Sequence, residues 1–114
     1  MNLNSHPKMN YLYIGIDCHK YTHTATMKNC FNETLGVITF NNDKKGYLID
    51  GLYVEETYRN RDIATKLIDE AIKIIKDTEA KFIDINVLAN NKIAYTLYKS
   101  FGFNDFKINL RKDL

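Results

Sequence analysis

The sequence predicts an α/β fold: a mixed sheet of about five or six strands with two helices and a central parallel βαβ unit. Two helical patterns and the strand-like runs around them carry that expectation. Residues 62–76 repeat apolar side chains at helical spacing, and apolar β-branched runs stand before and after them. A second helical pattern over 91–101 runs into Gly102, a residue suited to ending a helix in the left-handed conformation. At 114 residues the chain holds one compact domain and no second core.

The elements follow in order. Residues 1–10 are polar, contain the only proline, Pro7, and read as a loose tail. Residues 11–16, 22–28 and 34–40 are rich in β-branched and aromatic side chains and predict three strands, the last two joined by a hairpin turn at 29–33. The polar cluster 41–46 reads as a loop and as the natural seam of the chain, dividing 1–46 from 47–114. Residues 47–54 are apolar except for Asp50 and Gly51, as in a strand covered on both faces.

In the first helix Ile63, Ala64, Leu67, Ile68, Ala71, Ile74 and Ile75 form the apolar stripe, with Lys66, Asp69, Glu70, Lys73 and Lys76 opposite. Residues 82–88 alternate Ile83, Ile85 and Val87 with polar neighbours and predict a strand parallel to 47–54, reached by a right-handed crossover. Asn90 or Asn91 caps the second helix, and the loose alternation of 103–114 predicts a final strand.

Bulk properties narrow the function. Sixteen basic and 14 acidic residues, interspersed, give a net charge of +2 and no electrostatic footprint for nucleic acid. No apolar run approaches the roughly 18 residues of a membrane span. The polar start and two cysteines, Cys18 and Cys30, fit a cytoplasmic protein with reduced thiols. The spacing of Cys18, His19, His23 and Cys30 matches no zinc pattern, and a surface hairpin accounts for them more simply.

Two stretches carry chemistry. Leu52, Tyr53 and Val54 end a strand; Arg59, Asn60, Arg61, Asp62, Ile63 and Ala64 then open a helix. Further on come Asn91, Ala94, Leu97 and Tyr98, followed by Gly102 and Phe103. In order and spacing, residues 47–114 resemble the coenzyme A-binding half of the GNAT-type N-acetyltransferases. That family's first signature is a strand ending Leu-x-Val and then Arg/Gln-x-x-Gly-x-Gly/Ala. Its second is Asn-x-x-Ala-x-x-Leu-Tyr.

The resemblance implies acetyl-CoA as acyl donor and an amine, which the sequence does not identify, as acceptor. Free amides at a helix N-terminus and the helix dipole make an anion site, so Arg59, Asn60, Arg61 and the amides from Asp62 to Thr65 become the expected diphosphate cradle. The pantetheine arm is expected along Leu52, Tyr53 and Val54, near Asn91 and Ala94. Tyr98 falls where the family places a tyrosine that protonates the departing thiolate, although alone it would read as a packed core tyrosine. Of the carboxylates near the strand, Asp50, Glu55 and Glu56, Asp50 is the expected base, acting directly or through water.

The chain departs from this pattern in two ways. Asp62 stands where the phosphate loop has a glycine, placing a carboxylate beside an anion site. The strand and two helices that the family carries before residue 47 are also missing. Instead, Tyr13 to Lys20, Thr24 to Thr26, Leu35 with Gly36, and Ile38 to Phe40 resemble the start of the DEDD insertion-sequence transposases. That resemblance implies a metal-binding Asp17, but its three partner carboxylates have no counterpart, and Mg²⁺ chemistry needs several converging. These features together imply a fusion, or a remnant that keeps the fold with weak coenzyme A affinity and no activity. An uncovered apolar sheet face is also expected, and with it a homodimer.

Overall fold

The computed structural model describes residues 12–43 and 45–114. The expected tail, 1–10, and the expected strand start at Tyr11 lie outside the described residues.

Five strands form one sheet in chain order: β1 (Tyr13–Cys18), β2 (Thr22–Lys28), β3 (Thr34–Asp43), β4 (Gly46–Val54) and β5 (Ile83–Ile85). The first four are antiparallel neighbours, while β5 runs parallel to β4. Between β4 and β5 come a single 3₁₀ turn, Glu56–Tyr58, and helix α1 (Ile63–Lys76); helix α2 (Lys92–Ser100) follows β5. The βαβ unit and both helices are therefore present.

Alternation places Ala25, Met27, Ile38, Phe40 and Ile49 on one face, where they are buried against Ile63, Leu67, Ile68, Ala71 and Ile75 of α1. That stripe is the one the helical periodicity marks, and its burial is what holds α1 to the sheet. A Cβ on Gly36 would stand 2.8 Å from the Tyr53 carbonyl oxygen and 2.9 Å from Cδ1 of Leu67. Helix α1 can seat on β3 there only over a residue without a side chain.

Several expectations need correction. The cluster 41–46 is no open loop. Strand β3 continues to Asp43, which pairs with Gly46, so the seam is a hairpin tip inside one sheet. Strand β5 stops at Ile85 instead of reaching Leu88, and no strand is formed among residues 103–114. The strand 47–54 is not covered on both faces, since Asp50 and Tyr53 are exposed.

The face opposite α1 carries Thr22, Thr24, Thr26, Val37, Thr39, Asn41 and Leu48, all partly exposed, and is mainly hydroxyl-bearing where an apolar surface was expected. Exposed apolar side chains gather at the C-terminal end instead: Leu88, Ile93, Phe106, Ile108 and Leu110.

Candidate functional site

Because β4 and β5 are parallel, their C-terminal ends lie at the same edge of the sheet. The loop into α1 and the loop into α2 both start from that edge, where open parallel sheets place ligands. Pairing between the two strands covers only Tyr47 with Ile83, Leu48 with Asp84 and Ile49 with Ile85. Beyond Ile49 the strands part, and a bulge lies at the point of parting: Thr39 pairs with Gly51 and Phe40 with Ile49, which leaves Asp50 as an extra residue in β4. Leu52, Tyr53 and Val54 therefore lie beyond the last paired residues of β4, as residues 86–88 lie beyond those of β5.

The loop leaving β4 is held from beneath. The Tyr58 hydroxyl donates to Oε2 of Glu33 at 2.7 Å and accepts from Nδ2 of Asn29 at 3.3 Å, fixing the 3₁₀ turn to the β2–β3 hairpin. The Arg61 guanidinium lies 5.6 Å from the centre of the Tyr58 ring, and Nε of Arg59 donates to the Val54 carbonyl at 3.1 Å. Both arginines are exposed and sit within four residues of the α1 N-terminus. Arg59 is thereby held at the end of β4.

Asn60 and Asp62 both have positive φ, 65° and 60°. Asp62 is the N-cap of α1 in the left-handed conformation, and its carboxylate makes no capping hydrogen bond. Its carbonyl accepts from the Lys66 amide at 3.0 Å, which begins the helical ladder. The amides of Ile63, Ala64 and Thr65 precede that ladder and receive no side-chain cap, so they present donors to an anion at the positive end of the helix dipole. These amides and the two arginines are of the kind that suits a diphosphate, and the exposed Asp62 carboxylate beside them is not. The left-handed backbone at Asp62 also explains the glycine expected there, since that conformation suits a residue without Cβ.

On α2, Oδ1 of Asn91 accepts from the Ala94 amide at 3.1 Å and caps the helix. Its side-chain nitrogen is left to donate elsewhere. Tyr98 stands seven residues on, about 10 Å along the helix. It packs edge-on against Phe103, with ring centres 6.4 Å apart, and rests half-buried on the core.

Four tyrosines have their phenol pushed above the ordinary value. In Tyr53, Tyr58 and Tyr95 the largest cause is a hydrogen bond donated to a carboxylate, from Glu55, Glu33 and Asp105 respectively. In Tyr98 the cause is burial alone. Its proton is thus not pledged to a neighbouring carboxylate.

Asp50 is exposed on the bulge and accepts a hydrogen bond from Nδ2 of Asn41. The sequence singled out Asp50 but not this partner, because only the register brings the two together. Glu55 accepts from the Tyr53 hydroxyl at 2.9 Å. Asp17 lies 3.4 Å from Nε2 of His19 on the surface, and among the described residues no three His, Cys, Asp or Glu side chains converge on a metal position. No helix among the described residues is long and apolar enough to cross a membrane.

Comparison with known proteins gives the family and the fold. The model of the acetyltransferase (GNAT) family matches residues 5–103, which include β1 to β3 as well as the site. The chain belongs to the GNAT acetyltransferase family, whose members use acetyl-CoA.

Among solved structures it is similar to a protein of Pyrococcus furiosus titled "Putative acetyl transferase", with 22% identity and a TM-score of 0.77 over 84% of this chain and 68% of that one. It is similar to a mutant of the BH1408 protein of Bacillus halodurans, with 18% identity and a TM-score of 0.75 over 83% and 67%. It is also similar to the aminoglycoside N-acetyltransferase AAC(6')-Iy in complex with CoA, with 11% identity and a TM-score of 0.71 over 84% and 68%. At these identities the likeness shows the fold, and the chain spans about two thirds of each of those structures (67–68%). No curated protein matches the sequence.

Proposed function

We propose that this chain binds acetyl-CoA across the opening between β4 and β5 and transfers its acetyl group to an amine. The observation that carries this reading is the coincidence of two features at one sheet edge: uncapped amides at the start of α1, and the parting of β4 from β5 beyond Ile49. The diphosphate would rest on the amides of Ile63, Ala64 and Thr65 with Arg59, Asn60 and Arg61 around it, and the pantetheine would run along Leu52, Tyr53 and Val54 toward Asn91 and Ala94.

In the reaction the amine nitrogen attacks the thioester carbonyl, the C–N bond forms and the C–S bond breaks, with no covalent enzyme intermediate. Tyr98 gives its phenolic proton to the departing thiolate and is reprotonated from solvent. Asp50, directly or through water, takes the proton that the amine loses. Burial of Tyr98 has two opposed effects: it keeps the phenol protonated at higher pH, and it makes the phenol a weaker donor. The protonated form is the active one, so the tyrosine-dependent limb of activity is present below the ordinary phenol value of about 10 and is lost only as pH rises above it. We place the protein in the cytoplasm, as a homodimer.

A second reading, an inactive remnant with weak coenzyme A affinity, is favoured by the carboxylate of Asp62 at the anion site. Release of coenzyme A thiol from acetyl-CoA, measured against a panel of primary amines, separates the two. The active reading expects release that depends on the amine. Binding without any such release assigns the chain to the remnant.

A further inference from the structure

We infer that the acceptor is a long linear diamine or polyamine: one terminal amine stands at Asp50, the chain crosses the strands over Thr39 and Thr24, and Asp17 holds a distal ammonium. The inference rests on the acetyl-transfer reading above and adds the class of substrate to it.

Strand register sets these residues in one row. Asp17 pairs with Thr24, Thr24 with Thr39, and Thr39 with Gly51, the residue after Asp50. The row lies on the sheet face opposite α1, and each of its members is at least partly exposed. A Cβ on Gly51 would stand 3.7 Å from Cβ of Thr39, so the two share that face. Because Gly51 has no side chain, the row is low between Thr39 and Asp50. Asn41 and Leu48 stand along one side of it, Val37 and Tyr53 along the other.

The row has a carboxylate at each end. Three strand spacings separate Asp17 from Gly51, about 14 Å between Cα atoms. With both carboxylates leaning inward, two nitrogens about 11 Å apart contact both, and an extended chain advancing about 1.2 Å per bond covers that distance in about nine bonds. Between the ends, threonine offers a methyl group to methylenes and a hydroxyl oxygen to any N–H donor within the chain.

Charge on this face favours a polycation. The five strands contain four carboxylates, Asp17, Asp43, Asp50 and Asp84, and pairing and alternation put all four on it. Lys28, four residues along β2 from Thr24, is the only lysine or arginine in those strands, so the acids outweigh it. Asp17 lies 3.4 Å from Nε2 of His19, yet its side chain stays 75% exposed. Beside Asp50, Oδ1 of Asn41 is buried and receives no hydrogen bond among the described residues, so acceptors exceed donors at the reacting end too.

In the reaction the neutral terminal amine takes the acetyl group and loses a proton to Asp50, and the thiolate leaves with the proton of Tyr98. The distal nitrogen stays an ammonium and takes no part.

The test follows release of coenzyme A thiol from acetyl-CoA with three acceptors: terminal diaminooctane, terminal diaminobutane, which is too short, and octylamine, which lacks the distal charge. The wild type should show a KM for diaminooctane about fivefold lower than for either of the others, the scale of one exposed ion pair, at similar kcat. Added salt should shrink the difference. Asp17→Asn should abolish it, Asp17→Glu should keep it, and Thr24→Lys, which sets a cation on the path, should abolish it as well. Equal KM for diaminooctane and octylamine, or a preference that survives Asp17→Asn, would overturn the inference.

Calorimetric titration of the same amines without acetyl-CoA keeps this inference apart from the reading beneath it. Tighter binding of diaminooctane that depends on Asp17, with no thiol release from any amine, supports the row and counts against acetyl transfer alone. Octylamine bound as tightly as diaminooctane, or no amine bound at all, overturns the inference whatever the turnover.

Discussion

Replacing Tyr98 by phenylalanine is expected to lower kcat about 100-fold or more while leaving acetyl-CoA affinity nearly unchanged. The substitution removes one oxygen and keeps the ring that packs against Phe103, so the core loses little. The chemical step loses the proton that neutralises the leaving thiolate. Because burial alone raises this phenol, no neighbouring carboxylate is stranded when the hydroxyl goes. Steady-state kinetics with separate determination of acetyl-CoA binding distinguishes the cases. An unchanged kcat would return Tyr98 to a purely packing role.

The second large effect is expected from Asp62→Gly, which should tighten acetyl-CoA binding by several-fold to a hundredfold. A carboxylate about 5 Å from a phosphate charge is opposed by roughly 3 kcal/mol at an effective dielectric of 20 and by under about 1 kcal/mol in water. Asp62 is exposed, which favours the lower figure. Glycine also removes the Cβ from a residue at φ 60°, allowing a closer backbone approach.

The backbone geometry limits any penalty in stability. Asp62 is the cap and not a helical residue, so no interior helix propensity is lost, and its side chain makes no capping bond that glycine would break. Relief of the left-handed backbone offsets the greater freedom of glycine in the unfolded chain, each being on the order of 1 kcal/mol. The thermal midpoint should therefore move little while affinity rises, and the rise should be larger at low salt. Equal affinity of the two proteins at low ionic strength would mean that the carboxylate faces away from the bound phosphates.

The contrast between these residues and the rest of the fold shows what was legible in the sequence. Both helices could be read because their signals are local: a stripe from Ile63 to Ile75 at helical spacing, and Asn91 and Gly102 at the ends of the second helix. The loop proposed to hold the diphosphate stands out in the sequence for the same reason, since Arg59, Asn60, Arg61 and Asp62 are consecutive with the start of α1.

Strand pairing is not local, and there the reading was less complete. The run 41–46 looked like a loop because it is polar, yet Asn41 to Asp43 are held in β3 by partners in β4. Residues 103–114 alternate as a strand should, but alternation supplies a face and not a partner, and within one protomer no partner is in place. The bulge at Asp50, which sets both its exposure and its contact with Asn41, follows from the register of β3 on β4 and leaves no mark in composition. The sheet face expected to be apolar carries Thr22, Thr24, Thr26 and Thr39, whose β-branched side chains favour a strand as well as apolar ones do and need no cover from water.

Calorimetric titration of this chain with acetyl-CoA at low ionic strength tests the central claim most directly. The account predicts saturable binding, one cofactor per chain, weakening as salt is added and strengthening in Asp62→Gly. No binding heat from either protein would contradict an acetyl-CoA site at the N-terminus of α1.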